Sequence, residues 1–406
     1  MSSSPFAHYL HRHAELLPVD GAAWGESTVV VVIPVRNEPD LAITLNSLAQ
    51  CTPPSAPWIV LLVVNDSIGD SAAVRQQNQL TLRELQHNHP CPLATIDATA
   101  LPDGQGGVGR ARKIGMDAAV AALARQGRDG ILLSLDGDCT VNSSYLTALH
   151  HYFEQHPAAP ACVTSFCHPL DAASDRRSRA AVVQYELHLR YYRLGLKYAG
   201  VPYAFHTIGS CFACRASDYA CQGGMSRREA GEDFYFLHKM AQRGAVGHCH
   251  DAVVYPSPRV GSRTPFGTGA ALASWLARRE SSWRSYHPAA FVDLQAMVAQ
   301  IDTLQQINAH AADLPLSIQE FYQQQRGEHH LTTIRNNTAS QSAFRKRFWH
   351  WFDGFMAMKF IRFACNNHHG WIAVEQAISN LLNVAPTESA EELLTYLRTV
   401  DSDRRS

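Results

Sequence analysis

The sequence has no apolar run long enough to cross a membrane. Its most hydrophobic stretches, Val29–Ile33 and Trp58–Val64, fall far short of the ~20 residues a spanning helix needs. The opening residues, MSSSPFAHYLHRH, lack the basic segment and apolar run of a secretory signal, so a cytoplasmic location is expected. No long Lys/Arg block is present and the formal net charge is −1, which argues against nucleic acid as a partner, since such binding rests on phosphate neutralisation. Zinc-finger cysteine spacing is missing too: Cys211 and Cys214 form a lone C-x-x-C among ten cysteines, and buried thiols in a reducing compartment are the plain reading. The pairs His150/His151 and His248/His250 have no third ligand at matching spacing, so a dedicated histidine metal site is not expected. Charged residues make up only 17% of the 406 against 46% hydrophobic, a balance that gives a folded chain with a sizeable core.

What is present is an alternation of buried strands and helices. STVVVVI at 27–33 is a β-branched run of the kind buried in a parallel sheet, and Pro34 ends it. Leu41, Leu45 and Leu48 carry helical spacing, Trp58–Val64 reads as a second strand, and a helix over about 71–88 precedes a short strand at Leu93–Ile96. A glycine loop, a helix over about 108–126 and strand Ile131–Leu135 follow. This is the pattern of an α/β sheet with ligands at the carboxyl ends of its strands. The polar groups stand at those ends: Arg36–Asn37–Glu38, Asn65–Asp66 and Asp136–Asp138. Further on, 207–215 and Ala252–Tyr255 read as strands, and from 270 onward the chain reads as helix without a strand. Ser389 and Glu392 form a capping box before the last helix.

Three motifs carry chemistry. GQGGVG at 104–109 has the spacing of a dinucleotide fingerprint, with Asp129 near the place of a ribose acid. A dinucleotide turn needs its first glycine directly after an apolar strand, and here TALPD intervenes after a short one. LDGDC at 135–139 puts two aspartates at the end of a buried strand, where a divalent cation on a diphosphate would neutralise them; a solvated D-G-D turn is the alternative. AGEDFYF at 230–236 opens a helix with Glu232 and Asp233, either as favourable charge at a helix N-terminus or as a general base for an incoming hydroxyl.

The order of six blocks is more specific than any one of them. VVVVIPVRNE, LLVVNDSIGD, GVGRARKIGMDAA, ILLSLDGDC, GSCFACRAS…CQGGM and GEDFYFLHKMAQRG, spread over about 27–256, resemble the inverting GT-A glycosyltransferases of family 2. The resemblance implies an α/β GT-A (nucleotide-diphospho-sugar transferase) fold, with a mixed, mainly parallel central sheet. It implies a nucleotide-diphosphate sugar donor, UDP- or GDP-linked, a hydroxyl acceptor and Mn²⁺ or Mg²⁺ as cofactor. By position, Pro34, Arg36 and Glu38 fall in the first nucleotide-contacting loop, and Asp66 falls on the acid that contacts the base. Arg112 falls on the arginine beside the base, with Lys113 in place of the family's asparagine. Asp136 and Asp138 fall on the D-x-D metal motif, Asp138 being the direct ligand and Asp136 also a donor contact. Asp233 falls on the catalytic base and Glu232 on its acidic neighbour.

The chain also departs from that pattern. The last sheet strand ends VVYPSPR, without the histidine many relatives carry there; Arg259 and Arg263 are the candidate diphosphate contacts instead, their planar forks matching phosphate oxygens, and a surface loop with two solvated arginines is the alternative. QQQRGE at 323–328 lacks the tryptophan of processive Q-x-x-R-W enzymes, so transfer of a single sugar is expected. FRKRFWHWFDGFMAMKFIRF at 344–363 combines aromatics with six basic side chains. Peripheral membrane contact is one reading of it; helical core spacing of Phe344, Phe348, Trp351, Phe355 and Met358 favours packing. The expected organisation is an N-terminal arm over 1–26, a catalytic domain over 27–265 and an α-helical C-terminal extension over 266–406. A non-catalytic nucleotide-sugar binder and a retaining enzyme are the competing readings.

Overall fold

The computed structural model describes residues 5–21, 24–86, 89–226, 231–261, 267–278, 281–306, 314–385 and 389–402. The chain divides into two compact units: Met1–Arg179, Thr207–Ala273 and Ser402–Ser406 form one, Ala180–His206 and Ser274–Asp401 the other. Elements up to residue 278 are α1 (Pro5–Arg12), β1 (Asp20–Gly21), β2 (Val29–Val35), α2 (Leu41–Ala49), β3 (Trp58–Ser67), α3 (Ala72–Glu84), β4 (Leu93–Leu101), α4 (Val108–Gln126), β5 (Ile131–Ser134), β6 (Thr140–Val141), α5 (Tyr145–Gln155), β7 (Ala161–Phe166), α6 (Arg176–Tyr198), β8 (Phe212–Arg215), α7 (Ala216–Cys221), α8 (Glu232–Arg243), β9 (Val246–Tyr255) and α9 (Thr268–Arg278).

The strands form one mixed sheet in the order β1-β4-β3-β2-β5-β8-β7-β9-β6. Its longest pairings, β2 with β3, β3 with β4 and β7 with β9, are parallel. Every residue of β2 is buried, as expected where a β-branched run is covered on both faces. β2 has β3 on one side and β5 on the other, both parallel to it. Because β2 to β4 build outward in one direction and β5 lies on the opposite side, the chain reverses its order there, and the carboxyl ends of β2 and β5 are the switch point at which such sheets bind ligands. Helix α4 is pressed against this centre at Gly115, where a methyl group would lie 2.5 Å from Val32 Cγ1.

Four strand expectations are corrected: Pro34 lies inside β2 rather than ending it, and β9 begins at Val246 rather than Ala252. β4 is not short: it continues to Leu101, so the glycine loop does follow a strand. The 207–215 strand shrinks to Phe212–Arg215. The glycine loop is still no pyrophosphate cradle, because its amides are already used: Gly106 N–H donates to Ser67 Oγ at 2.7 Å and Gly107 N–H to Asn65 Oδ1 at 3.0 Å. Asp129, the would-be ribose acid, instead accepts from Gly130 N–H and from the amide and hydroxyl of Ser217.

The N-terminal helix is fastened by a buried polar knot. Tyr9 and Tyr219 hydroxyls both donate to Asp117 Oδ1, at 2.5 and 2.7 Å, and Lys113 Nζ donates to Asp117 Oδ2 at 2.8 Å and to Tyr9 Oη at 3.1 Å. Lys113 is thereby committed to a structural role inside the knot. Tyr9→Phe is expected to reduce stability by about 1–3 kcal/mol, the usual penalty for leaving buried partners unmet. Denaturant unfolding of the two proteins checks it.

In the second unit, residues 284–402 give β10 (Arg284–Tyr286), α10 (Pro288–Ala299), α11 (Leu316–Gln324), α12 (Gly327–Asn336), α13 (Gln341–Trp351), α14 (Gly354–Ala364), β11 (Trp371–Ala373), α15 (Val374–Leu382) and α16 (Ala390–Ser402). The expectation of helix alone beyond 270 is corrected by β10 and β11, which pair antiparallel. The 344–363 segment is two helices rather than one. Asp353 interrupts it and caps α14, accepting from Met356 N–H at 2.9 Å. Phe344, Phe348, Phe352 and Phe360 are buried, whereas Trp351, Phe355 and Met358 are half-buried. Of the expected capping box, the Ser389 half is made, Glu392 N–H donating to Ser389 Oγ at 3.2 Å. Buried ion pairs tie α16 to the second-unit part of α6: Arg190 bridges Glu186 and Asp401, and Arg398 reaches Glu186 at 2.8 Å. Among the described residues, no helix is long and apolar enough to cross a membrane.

Candidate active site

The carboxyl ends of β2 and β5 gather two charged clusters, both within the first unit. One is built on Arg259, in the loop after β9. Its Nη2 reaches Glu38 Oε2 at 2.6 Å and Asp138 Oδ2 at 3.2 Å, and its Nη1 reaches Asp40 Oδ2 at 3.1 Å. Three carboxylates thus share one cation. Asp138 is held above the ordinary carboxylate range by burial, then by Asp136 and Glu38, with Arg259 only partly opposing. Burial disfavours the Arg259 cation, but Glu38 and Asp138 outweigh it and raise its pKa.

The second cluster is built on Arg112 of α4, which is 1% exposed. Its Nη2 donates to Asp136 Oδ1 at 2.6 Å and its Nη1 to Glu232 Oε1. Glu232 begins α8 and is buried. Next to it, Asp233 accepts from Phe234 N–H at 2.7 Å, and its carboxyl is pushed up to about 7 by burial and then by Glu232, with Arg112 opposing. A carboxyl poised near neutrality is what a general base for a hydroxyl requires.

The remaining residues singled out from the sequence line the strand ends. Pro34 is buried in β2, paired with Val63. Arg36 pairs with Asp70, its Nε 3.3 Å from Oδ2. Both oxygens of Asp66 are engaged: Oδ2 accepts from Asn78 Nδ2 and Oδ1 from Ala100 N–H, each at 2.8 Å. Arg263 lies outside the described residues. The structure thus brings Glu38, Asp138 and Arg259 together, and Arg112, Asp136, Glu232 and Asp233 together. Arg36 and Asp66 make neighbouring contacts of their own.

Sequence reasoning passed over Asp40 and Asp70, the partners of Arg259 and Arg36, and Asn78, which with Asn65 braces the loops. Asn65 Nδ2 donates to Val35 O, and Asn78 Oδ1 accepts from Asn37 N–H. Asn65 was named only as a polar residue at a strand end, beside Asp66. Asn78 lies mid-helix with nothing in its spacing to mark it.

Asp136 and Asp138 fit a divalent cation in chemical type, as oxygen donors whose side chains are each about a third exposed and which stand in an excess of negative charge. Among the described residues, no group of three or more His, Cys, Asp or Glu is arranged to hold a metal. That is compatible with an ion whose other ligands are phosphate oxygens and water.

Residues 30–222 match the family model for Glycosyl transferase family 2. No curated protein matches the chain in sequence. Among solved structures, S. aureus TarS 1–349 in complex with UDP-GlcNAc is 13% identical, covering 80% of this chain and 91% of its own, with a TM-score of 0.37. The mannosyltransferase PcManGT from Pyrobaculum calidifontis, in complex with GDP-Man and Mn²⁺, is 14% identical over 99% of this chain and 95% of its own, also with a TM-score of 0.37. The match to the family model, over residues that carry most of the mixed sheet, is what ties the chain to that family.

Proposed function

We propose that this chain, whose residues 30–222 match the model for Glycosyl transferase family 2, moves a single sugar from a nucleoside-diphosphate sugar to a hydroxyl acceptor with inversion. The observation that carries the reading is Asp233, a carboxyl raised to about 7 at the start of α8, one residue from Glu232 and linked through it and Arg112 to Asp136.

In the reaction, Asp233 takes the proton of the acceptor hydroxyl as its oxygen attacks the anomeric carbon. The bond from that carbon to the diphosphate breaks on the opposite face, and the nucleoside diphosphate leaves with the bonding electrons. Glu232 stands at the acceptor side, and Pro34, Arg36, Glu38 and Asp66 belong to the nucleotide side. A divalent cation, Mn²⁺ or Mg²⁺, held by Asp136 and Asp138 would supply charge stabilisation to the leaving diphosphate. Arg259 adds a fixed fork for phosphate oxygens, with Arg263 as the other candidate.

The donor is found by thermal shift with UDP-, GDP-, dTDP- and CDP-sugars in the presence of Mn²⁺, since a ligand that binds only the folded state raises the melting temperature. One nucleotide class should stabilise the protein; stabilisation by none would overturn the donor assignment. Product anomer analysis distinguishes inversion from retention. Arg259→Ala is expected to weaken binding of the matching nucleoside diphosphate by about tenfold or more, the scale of a lost charge-assisted hydrogen bond. Titration calorimetry measures it, and unchanged affinity would remove Arg259 from the diphosphate site.

A further inference from the structure

We infer that Arg112 is a positioning residue for the transfer reaction. It holds the Asp233-bearing end of α8 in place against Asp136, and it does not read the nucleotide base. The inference rests on the proposed transfer reaction.

Three observations lead there. First, the guanidinium is 1% exposed, so it offers no edge to a ligand arriving from solvent. Both of its amino groups are already bonded to carboxylates, and Nε is buried without a partner. Second, its seat is closed from the side by Gly209, where a methyl group would fall 2.7 Å from Nη2 and 3.0 Å from Cζ. Gly209 is itself fixed, its carbonyl accepting from Ser134 Oγ at 2.6 Å. Third, the two carboxylates come from separate parts of the chain, one at the end of β5 and the other in the first turn of α8. One planar fork therefore spans the strand that carries the D-x-D residues and the helix that carries the base.

The function of such a link is geometric. Glu232 and Asp233 are consecutive, so a fixed Glu232 fixes the backbone from which Asp233 extends. Proton transfer and attack require alignment within fractions of an ångström, and a misplacement of about 1 Å can lower a rate by about 100-fold. Arginine suits the task better than lysine, because its donors diverge in a rigid plane and its charge does not titrate.

Arg112→Gln, Arg112→Lys and Glu232→Gln are compared with wild type by steady-state kinetics and by binding of the nucleoside diphosphate identified in the thermal-shift screen. For Arg112→Gln the expectation is a fall in kcat of about 100-fold or more, with donor KM and nucleotide Kd within about threefold of wild type. Arg112→Lys should recover about tenfold of that loss. Glu232→Gln in combination with Arg112→Lys should cost less than the product of the separate effects, as residues acting through one link do. A nucleotide Kd raised about tenfold with kcat retained would make Arg112 a base contact and overturn the inference. So would additive losses, or an Arg112→Lys protein that folds and binds nucleotide but is no better than Arg112→Gln. If Arg112→Gln does not fold, the Arg112→Lys and Glu232→Gln pair decides by the same additivity criterion. A wild-type protein that transfers sugar from no donor would instead refute the transfer reading, and that result is visible before any variant is made.

Discussion

Asp233→Asn should lower kcat by about 10²–10⁴-fold, the range associated with a positioned general base, while nucleotide binding is unchanged. The amide keeps the shape of the carboxyl and its bond from Phe234 N–H but cannot accept the acceptor's proton. In wild type, the pH dependence follows from the same residue. Burial and Glu232 put the Asp233 carboxyl at about 7, so the rate should rise with pH through that value and level off above it. In Asp233→Asn, the residual rate should have lost this limb.

The same shift makes a stability prediction of opposite sense. Asp233 is easier to ionise in the unfolded chain, near 3.8, than in the folded one. The folded state is therefore favoured less and less as pH rises from about 4 to about 7, and the deficit is constant above that. Asp233→Asn, which has no such deficit, should melt higher than wild type by a margin that grows between pH 4 and 7. A variant that is inactive and more stable would mark Asp233 as a residue kept for chemistry. A kcat within threefold of wild type would remove it from the mechanism.

The second large effect belongs to Asp138. Asp138→Ala should reduce transfer by about 10³-fold, equivalent to about 4 kcal/mol of lost charge stabilisation on the leaving diphosphate. It should also abolish the part of nucleotide affinity that depends on Mn²⁺. The melting temperature without ligand should not fall, because Asp138 stands among Asp136 and Glu38 with only Arg259 in opposition, and removing one of several crowded carboxylates relieves repulsion. Thermal shift with and without Mn²⁺, alongside initial rates, tests both statements. Metal-dependent nucleotide binding that survives the substitution would take Asp138 out of the metal site.

Much of the sheet was readable because its strands are continuous apolar runs closed by polar turns. β2, β3 and β5 fall where the apolar runs put them, to within a few residues at their ends. The helix expected over about 108–126 is α4, Val108–Gln126. The errors have particular causes. β4 extends through Asp97, Ala98 and Thr99, residues with little strand character, because β3 supplies a parallel partner as far as Leu101. β10 and β11 are three residues each and stabilise one another, so neither has a local signal of its own. The break at Asp353 was hidden by an aromatic pattern that continues in helical spacing across it, although Asp before Gly-Phe-Met is a serviceable cap.

The candidate site was legible as residue types and positions and illegible as pairings. Asp136, Asp138, Glu232 and Asp233 were all named from motif order. Nothing in the sequence says that Arg112 would spend its charge on Glu232 and Asp136, because those partners lie 120 and 24 residues away. The same holds for Arg259, whose partner Glu38 is 221 residues distant. The glycine loop makes the point from the other side. Its spacing imitates a dinucleotide turn, yet its amides are committed to Ser67 and Asn65. A motif specifies which atoms are available only once its neighbours are known.

The most direct test of the account is release of nucleoside diphosphate from UDP-, GDP-, dTDP- and CDP-sugars by the full chain with Mn²⁺, run beside Asp233→Asn and Asp138→Ala. The account predicts release from one donor class by wild type, accelerated by a hydroxyl acceptor, and loss of that release in both variants. Binding of a nucleotide sugar without release from any donor, or equal release by all three proteins, would contradict it.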